Sequence, residues 1–408
     1  MVRAILAFFT VGLLLQAPLL GEVHELKAKK IKVNKKNAGI LPEVELRPQS
    51  QFAERKNEPK YRSDYAKRFT AAFGNGEGFS LAMAVDEKQG TGKGFDLIYI
   101  DLNGDGNLAK GKKFVGKTAN RGYSYEDTDF PAFEVQVPNG DGSSSYPVKA
   151  RFSTMKNNPN EASLYLTPLC VMEGSVTFGE KTQKIMVFDA NCNGVFGEVG
   201  TLKGATVSGD KIWIGSKSPK VEDAFVESFP LGKYYLFEDS YYEISITDNN
   251  KTEIKKADVA LGKIKVNNPG FILELVQGDN VLYAGSEKET ELAVPVGKWK
   301  VNNASFRRRY KGEVWELQGR AGTFKEQFNV REEEATEIKV GPPLKIMVRG
   351  SSRVVGNGMQ ASFRFSLGGS AGETYQYLLK GGKKIDLPDI KIKSPKGKVV
   401  QEGGFEYG

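Results

Sequence analysis

The sequence predicts an all-β chain, an antiparallel β region followed by β-sandwich modules, and three observations predict it. Val, Ile, Phe and Tyr recur in short alternating runs, whereas no long stretch carries helical period. The chain holds 46 glycines in 408 residues, well above the usual share of about 7%, as a fold with many turns requires. An apolar run followed by a loop rich in Asp, Asn and Gly occurs twice, beginning at Asp101 and again 88 residues later at Asp189.

Taken in order, residues 1–21 carry one cation, Arg3, and then an apolar run from Ala4 to Leu20, the pattern of a signal peptide. The expectation is an exported protein, periplasmic, cell-surface or secreted, with no transmembrane segment once the signal is removed. Residues 22–70 are polar and rich in lysine, with Lys27, Lys29, Lys30, Lys32, Lys35 and Lys36 close together, and read as a solvated arm or linker. A short helix is possible within 64–69. His24, in this stretch, is the only histidine. One imidazole outside the expected domains argues against Ser-His-Asp and Cys-His catalysis and against ordinary zinc sites. Carboxylate-only chemistry, such as glycoside hydrolysis by two acids, needs no histidine and survives.

The first β region spans 71–240. Its expected strands include 79–85 and 95–100 across a glycine turn, and the hairpin 133–137 with 148–152. The run 163–178 should turn back into 182–189. Each apolar run then delivers a loop. In D-L-N-G-D-G-N-L, Asp101, Asn103 and Asp105 offer oxygens at alternate positions before Gly106 turns the chain. In D-A-N-C-N-G-V-F, Asp189, Asn191 and Asn193 do so before Gly194. Six to eight oxygen ligands are what Ca²⁺ takes, so calcium is the expected cofactor. Each loop has a bulky apolar residue at its eighth position, Leu108 or Phe196. The cysteines, Cys170 and Cys192, are expected to form a disulfide, because facing residues near 178 and 183 would place Cys170 opposite a residue near 191.

Further strands are expected at 242–246, 263–266, 271–275, 298–301, 314–317 and 324–330, making a sandwich over 241–341. Trp299 and Trp315 read as core. Pro342 and Pro343 mark a joint, and 342–408 reads as a small immunoglobulin-like sandwich closing on F-E-Y-G.

The two loops resemble the calcium-coordinating half of EF-hand and dockerin loops. The resemblance implies Asp101, Asn103, Asp105 and the Asn107 carbonyl as ligands in the first loop, and Asp189, Asn191, Asn193 and the Val195 carbonyl in the second. Both depart from that pattern at position twelve, where an acid should stand and Lys112 and Gly200 stand instead. Glu198, at position ten, can substitute in the second loop. Charge within the loop favours the second as the calcium site, and agreement with D-x-N-x-D-G favours the first. The stretch V-P-V-G-K-W-K-V at 294–301 resembles prealbumin-like and carboxypeptidase-regulatory-like sandwiches. The whole pattern is similar to that of large exported bacterial β-proteins of unassigned activity.

The net charge of +8 is spread among 50 acids, which fits solubility or a preference for acidic polymers rather than nucleic acid. The expectation is therefore a non-enzymatic, calcium-binding exported protein that acts in cell-surface binding or structure, with polysaccharide or a surface protein as partner. The alternative is a carbohydrate-active enzyme using two carboxylates, with structural calcium and accessory sandwiches.

Overall fold

The computed structural model describes residues 21–404 apart from 34–39, 51–56, 75–78, 122–123, 140–141, 205, 248–249, 279, 287, 326, 356–357, 382 and 386–388. The expected signal segment up to residue 20 and the final F-E-Y-G lie outside the described residues. The fold is all-β, built of several mainly antiparallel sheets, and Val221–Glu227 is the one α-helix among the described residues.

Alternation builds the first sandwich. In Phe79–Asp86 and Gly142–Met155 every second residue, Leu81, Met83 and Val85 or Val148, Ala150 and Phe152, is buried. A strand turns successive side chains to opposite faces, so such residues line one face. A four-stranded meander, Lys67–Phe73, Phe79–Asp86, Leu97–Ile100 and Lys112–Val115, thereby shares one core with a six-stranded sheet. That second sheet runs Val44–Leu46, Asn158–Pro168, Gly142–Met155, Tyr125–Asp129, Lys117–Arg121, with Phe133–Asn139 paired on Gly142–Met155. Phe152 packs between Phe69 and Phe95, at ring distances of 6.1 and 5.2 Å. Each such fully buried side chain contributes about 1.5–3 kcal/mol.

A second core joins a five-stranded sheet, centred on Cys170–Phe178, Lys181–Phe188 and Lys211–Gly215, to a four-stranded one through Val176, Phe178, Ile185, Tyr242 and Ile254. A third lies between a three-stranded and a nine-stranded sheet around Trp299, Phe271 and Phe324. Trp299 is 1% exposed, and its indole N–H donates to the Pro295 carbonyl at 2.8 Å, the core role expected of it.

Four expectations are corrected. The lysine-rich stretch is not a free arm. Glu22–Glu25 pairs with Lys251–Lys256, Lys27–Lys30 pairs with Cys170–Phe178, and Val44–Leu46 pairs with Asn158–Pro168, so it adds an edge strand to three sheets. His24 Nε2 accepts a hydrogen bond from the Thr177 N–H at 3.2 Å. The 64–69 stretch holds a turn and the start of Lys67–Phe73 rather than a helix. The run 163–178 is two strands broken at Leu169. Finally, sheets run across both expected breaks. Tyr234–Phe237 pairs with Ser240–Ile246 across 240, and Glu313–Gly319 pairs with Thr374–Lys380 across 341. Tyr375 belongs to the same core as Trp299.

Candidate functional site

The two oxygen-rich loops are copies of one supersecondary unit. In each, the second strand of a hairpin ends, the loop follows, and a third strand returns antiparallel to the second. Ile100 pairs with Lys112 around the first loop, and Phe188 pairs with Lys211 around the second. The backbone repeats as well. Positions four and six are left-handed in both copies, at Gly104 (φ 65°) and Gly106 (φ 73°), and at Cys192 (φ 57°) and Gly194 (φ 80°). Glycine takes that conformation freely, whereas Cys192 takes it at some cost.

The same hydrogen bonds close both turns. The Gly106 N–H donates to Asp101 Oδ2 and the Gly194 N–H to Asp189 Oδ2, each at 2.7 Å. The Asn107 N–H donates to Asp105 Oδ1 at 2.7 Å, and the Val195 N–H to Asn193 Oδ1 at 2.9 Å. The eighth residue anchors each loop: Leu108 packs with Ala84, and Phe196 packs edge-on to Tyr146 at 6.3 Å.

In the first loop Asp101 is 1% exposed, and its Oδ1 is buried without a hydrogen-bond partner. Asn107 Oδ1 is also buried and without one. The Asn107 carbonyl accepts from the Lys110 N–H at 3.1 Å, so the side-chain oxygen is the better donor to a cation than the carbonyl that the resemblance implied. Asp105 Oδ2 accepts from Asn103 Nδ2 at 3.0 Å. Lys112 and Lys113, whose charges would repel a cation, lie over the rings of Phe114 and Tyr99, at 5.3 and 5.4 Å. A buried carboxylate oxygen with no partner is costly, and a hard cation satisfies it. These residues therefore fit Ca²⁺.

In the second loop the protein supplies its own partners. Asp189 is fully buried, with Oδ2 accepting from the Tyr146 hydroxyl and Oδ1 from the Asn193 N–H at 3.3 Å. Asn191 Nδ2 and Asn193 Nδ2 both donate to Glu198 Oε2, at 2.6 and 2.8 Å, which brings the predicted Asn191, Asn193 and Glu198 together. A residue that sequence reasoning missed holds the loop shut. Asp210, also fully buried, accepts from the N–H groups of Ala190, Gly197 and Glu198, at 3.3, 2.7 and 3.1 Å. Burial pushes the Asp189 carboxyl up to about 6. Burial, then the Asp189 charge, pushes Asp210 up as well. The signal for Asp210 was its place immediately before the returning strand, where the first copy has Gly111.

The expected disulfide is absent, for Cys170 and Cys192 are free and buried thiols. The hairpin register explains why the spacing misled. Phe178 faces Lys181, and extending the ladder past Met172 and Val187 puts Cys170 opposite Asp189, with Cys192 three residues further on in the loop. Burial, then the Asp189 charge, pushes the Cys170 thiol up to about 12. The same two causes push Cys192 up, which disfavours the thiolate at both cysteines.

Among the described residues no three His, Cys, Asp or Glu side chains gather as a metal cluster. Both loops instead combine carboxylate with amide oxygens. The surface holds two concavities of note. One, of about 100 Å³, borders the second loop at Tyr146, Cys170 and Val195, and is smaller than a sugar site needs. The other, of about 640 Å³, lies on the outer face of the six-stranded sheet, with Tyr125, Tyr165, Glu45, Arg47, Glu161 and Ser163 in its lining. There Glu45 Oε1 accepts from the Ser163 hydroxyl at 2.6 Å, and the Arg151 guanidinium stacks on Tyr165 at 4.2 Å. No protein-family model, curated protein or solved structure matches this chain.

Proposed function

We propose that the protein is an exported, non-enzymatic calcium-binding β-protein that binds a surface polysaccharide. The observation that carries the calcium reading is the pair of buried oxygens without partners, Asp101 Oδ1 and Asn107 Oδ1, in a loop that otherwise satisfies its own hydrogen bonds. Asp101, Asp105 and Asn107 would hold the ion, with Asn103 turning its amide oxygen inward. The ion would fasten the end of the first sandwich, a structural role. The 640 Å³ groove supports the polymer reading, since it places two tyrosine rings beside carboxylate, guanidinium and hydroxyl groups. Sugars are held by such pairs of aromatic face and hydrogen-bonding rim.

Melting in calcium of about 5 mM against chelator tests the metal, this being above the ~0.1–1 mM affinity common in extracellular modules. A rise of a few degrees in wild type, lost in Asp101→Asn, is the expected result. An equal melting temperature in both conditions assigns the two oxygens to ordered water and removes the calcium reading. A glycan array with wild type and Tyr165→Ala tests the groove independently. Binding that the substitution leaves untouched, or none at all, removes the polysaccharide.

A further inference from the structure

The last long hairpin is unlike the rest of the chain. Residues 345–368 contain Lys345, Arg349, Arg353 and Arg364 and no Asp or Glu, in a protein with 50 acids elsewhere. The register sorts them. Arg349 faces Arg364, and Lys345 and Arg353 lie an even number of residues from Arg349, so all four cations share one face. The opposite face is apolar. It carries Ile346, Val348 and Val354 on Lys345–Val355, and Phe363, Phe365 and Leu367 on Gly358–Gly368, with Ile346 facing Leu367 and Val348 facing Phe365.

At its base Leu367 packs against the core around Trp299, while four other residues of that face stand open to solvent. Ile346 is 70%, Val348 55%, Val354 80% and Phe363 38% exposed. Among the described residues Lys345–Val355 pairs only with Gly358–Gly368, which joins the nine-stranded sheet only through Leu367 and Gly368. The hairpin therefore projects from the sheet by about nine residues, roughly 30 Å. A two-stranded hairpin is at best marginally stable in water, so this one needs a surface to lie on.

We propose that the hairpin is a docking element for an anionic lipid surface, its apolar face entering the boundary of the acyl chains and its Lys and Arg side chains reaching the head-group phosphates. Long basic side chains bend toward a polar boundary in this way, and a basic polar face opposite an apolar one is the pattern of elements that lie in a membrane interface. Charge complementarity favours an anionic bilayer, because a hairpin with four cations and no Asp or Glu of its own lies within reach of its surface potential. Two other occupants fit less well. Nucleic acid would satisfy the arginines and leave Ile346 and Val354 in water. A second copy stacked face to face would bury only ~350 Å² per partner, from strands about 36 Å long and a ribbon about 10 Å wide, against the ~800 Å² of a stable dimer.

The test is flotation of the full chain with vesicles of phosphatidylcholine alone and with about one quarter phosphatidylglycerol. Wild type should bind the anionic vesicles at least about tenfold more tightly than the neutral ones, and less tightly as salt is raised. Arg349→Gln with Arg353→Gln and Arg364→Gln should abolish that preference. Ile346→Glu with Val348→Glu should abolish binding to both vesicles. These side chains are exposed, so circular dichroism should show the fold unchanged. The proposal is overturned if wild type does not float with anionic vesicles, or if either variant floats as wild type does. A concentration-dependent dimer that Ile346→Glu dissolves, without lipid binding, overturns it in favour of an interface between copies.

Discussion

The two loops start from nearly the same sequence and the same backbone turn, yet the protein treats them in opposite ways. The first closes in eleven residues, 101 to 111, and leaves two buried oxygens without partners. The second takes twenty-two residues, 189 to 210, and encloses its leading carboxylate with a tyrosine hydroxyl and two backbone N–H groups, while Asp210 pins both ends. A repeated motif therefore fixes the turn but not its use. What surrounds the turn decides whether its acid finds all its partners within the fold.

Replacing the first carboxylate of each loop is the strongest way to break this comparison. Asp189→Ala should cost about 3 kcal/mol of stability, because it strands the buried Tyr146 hydroxyl and two half-buried N–H groups. Denaturant unfolding should give the same penalty in calcium and in chelator. A penalty that disappears in chelator would make the second loop the metal site instead. Asp101→Asn keeps an acceptor for the Gly106 N–H, so it should cost little in chelator. In calcium it should lose the whole of the mass-action term, about 1–2 kcal/mol for a site of ~0.1–1 mM affinity at millimolar ion.

A smaller effect isolates one contact of the enclosed loop. Tyr146→Phe removes the hydroxyl donor and leaves the ring packed against Phe73 and Phe196, at 6.1 and 6.3 Å. It should destabilise by about 1 kcal/mol with no calcium dependence. Those rings belong to a row that runs from one loop to the other. Phe79 lies against Gly104 of the first loop and against Phe73, and Tyr146 reaches Asp189 of the second. Calorimetry that showed the calcium shift lost in Tyr146→Phe would mean that the loops are coupled through this row.

Much of the fold was legible because it is local. Alternation in Phe79–Asp86 and Phe133–Asn139 marks strands whose partners are their neighbours in sequence, and glycine at the sixth position of each loop marks the left-handed turn. What was not legible is pairing at long range. Lys27–Lys30 has no apolar alternation and is exposed throughout. It is a strand only because Cys170–Phe178, some 140 residues on, offers an open edge. Asp210 carries no motif, and only the fold brings it under Ala190 and Gly197. The groove is equally invisible, since Glu45, Tyr125 and Tyr165 come from three strands far apart in sequence.

The smallest effect would sharpen the comparison by completing the open loop. Lys112 stands where a calcium loop of this type carries its last acid, and its ammonium group lies over Phe114 rather than toward Asp101. Lys112 is exposed and faces Ile100 at the base of the loop, so a shorter acidic side chain there has room to turn inward. Lys112→Glu removes a repelling charge and adds a donor, and it gives up a cation–π contact of about 0.5 kcal/mol. In chelator it should therefore be slightly less stable than wild type. In calcium it should melt higher, with an affinity gain of up to about tenfold, which approaches 1.4 kcal/mol at saturating ion. Isothermal titration with calcium measures the gain directly. An affinity equal to wild type would show that the twelfth position does not face the ion, leaving Asp101, Asp105 and Asn107 to hold it with water.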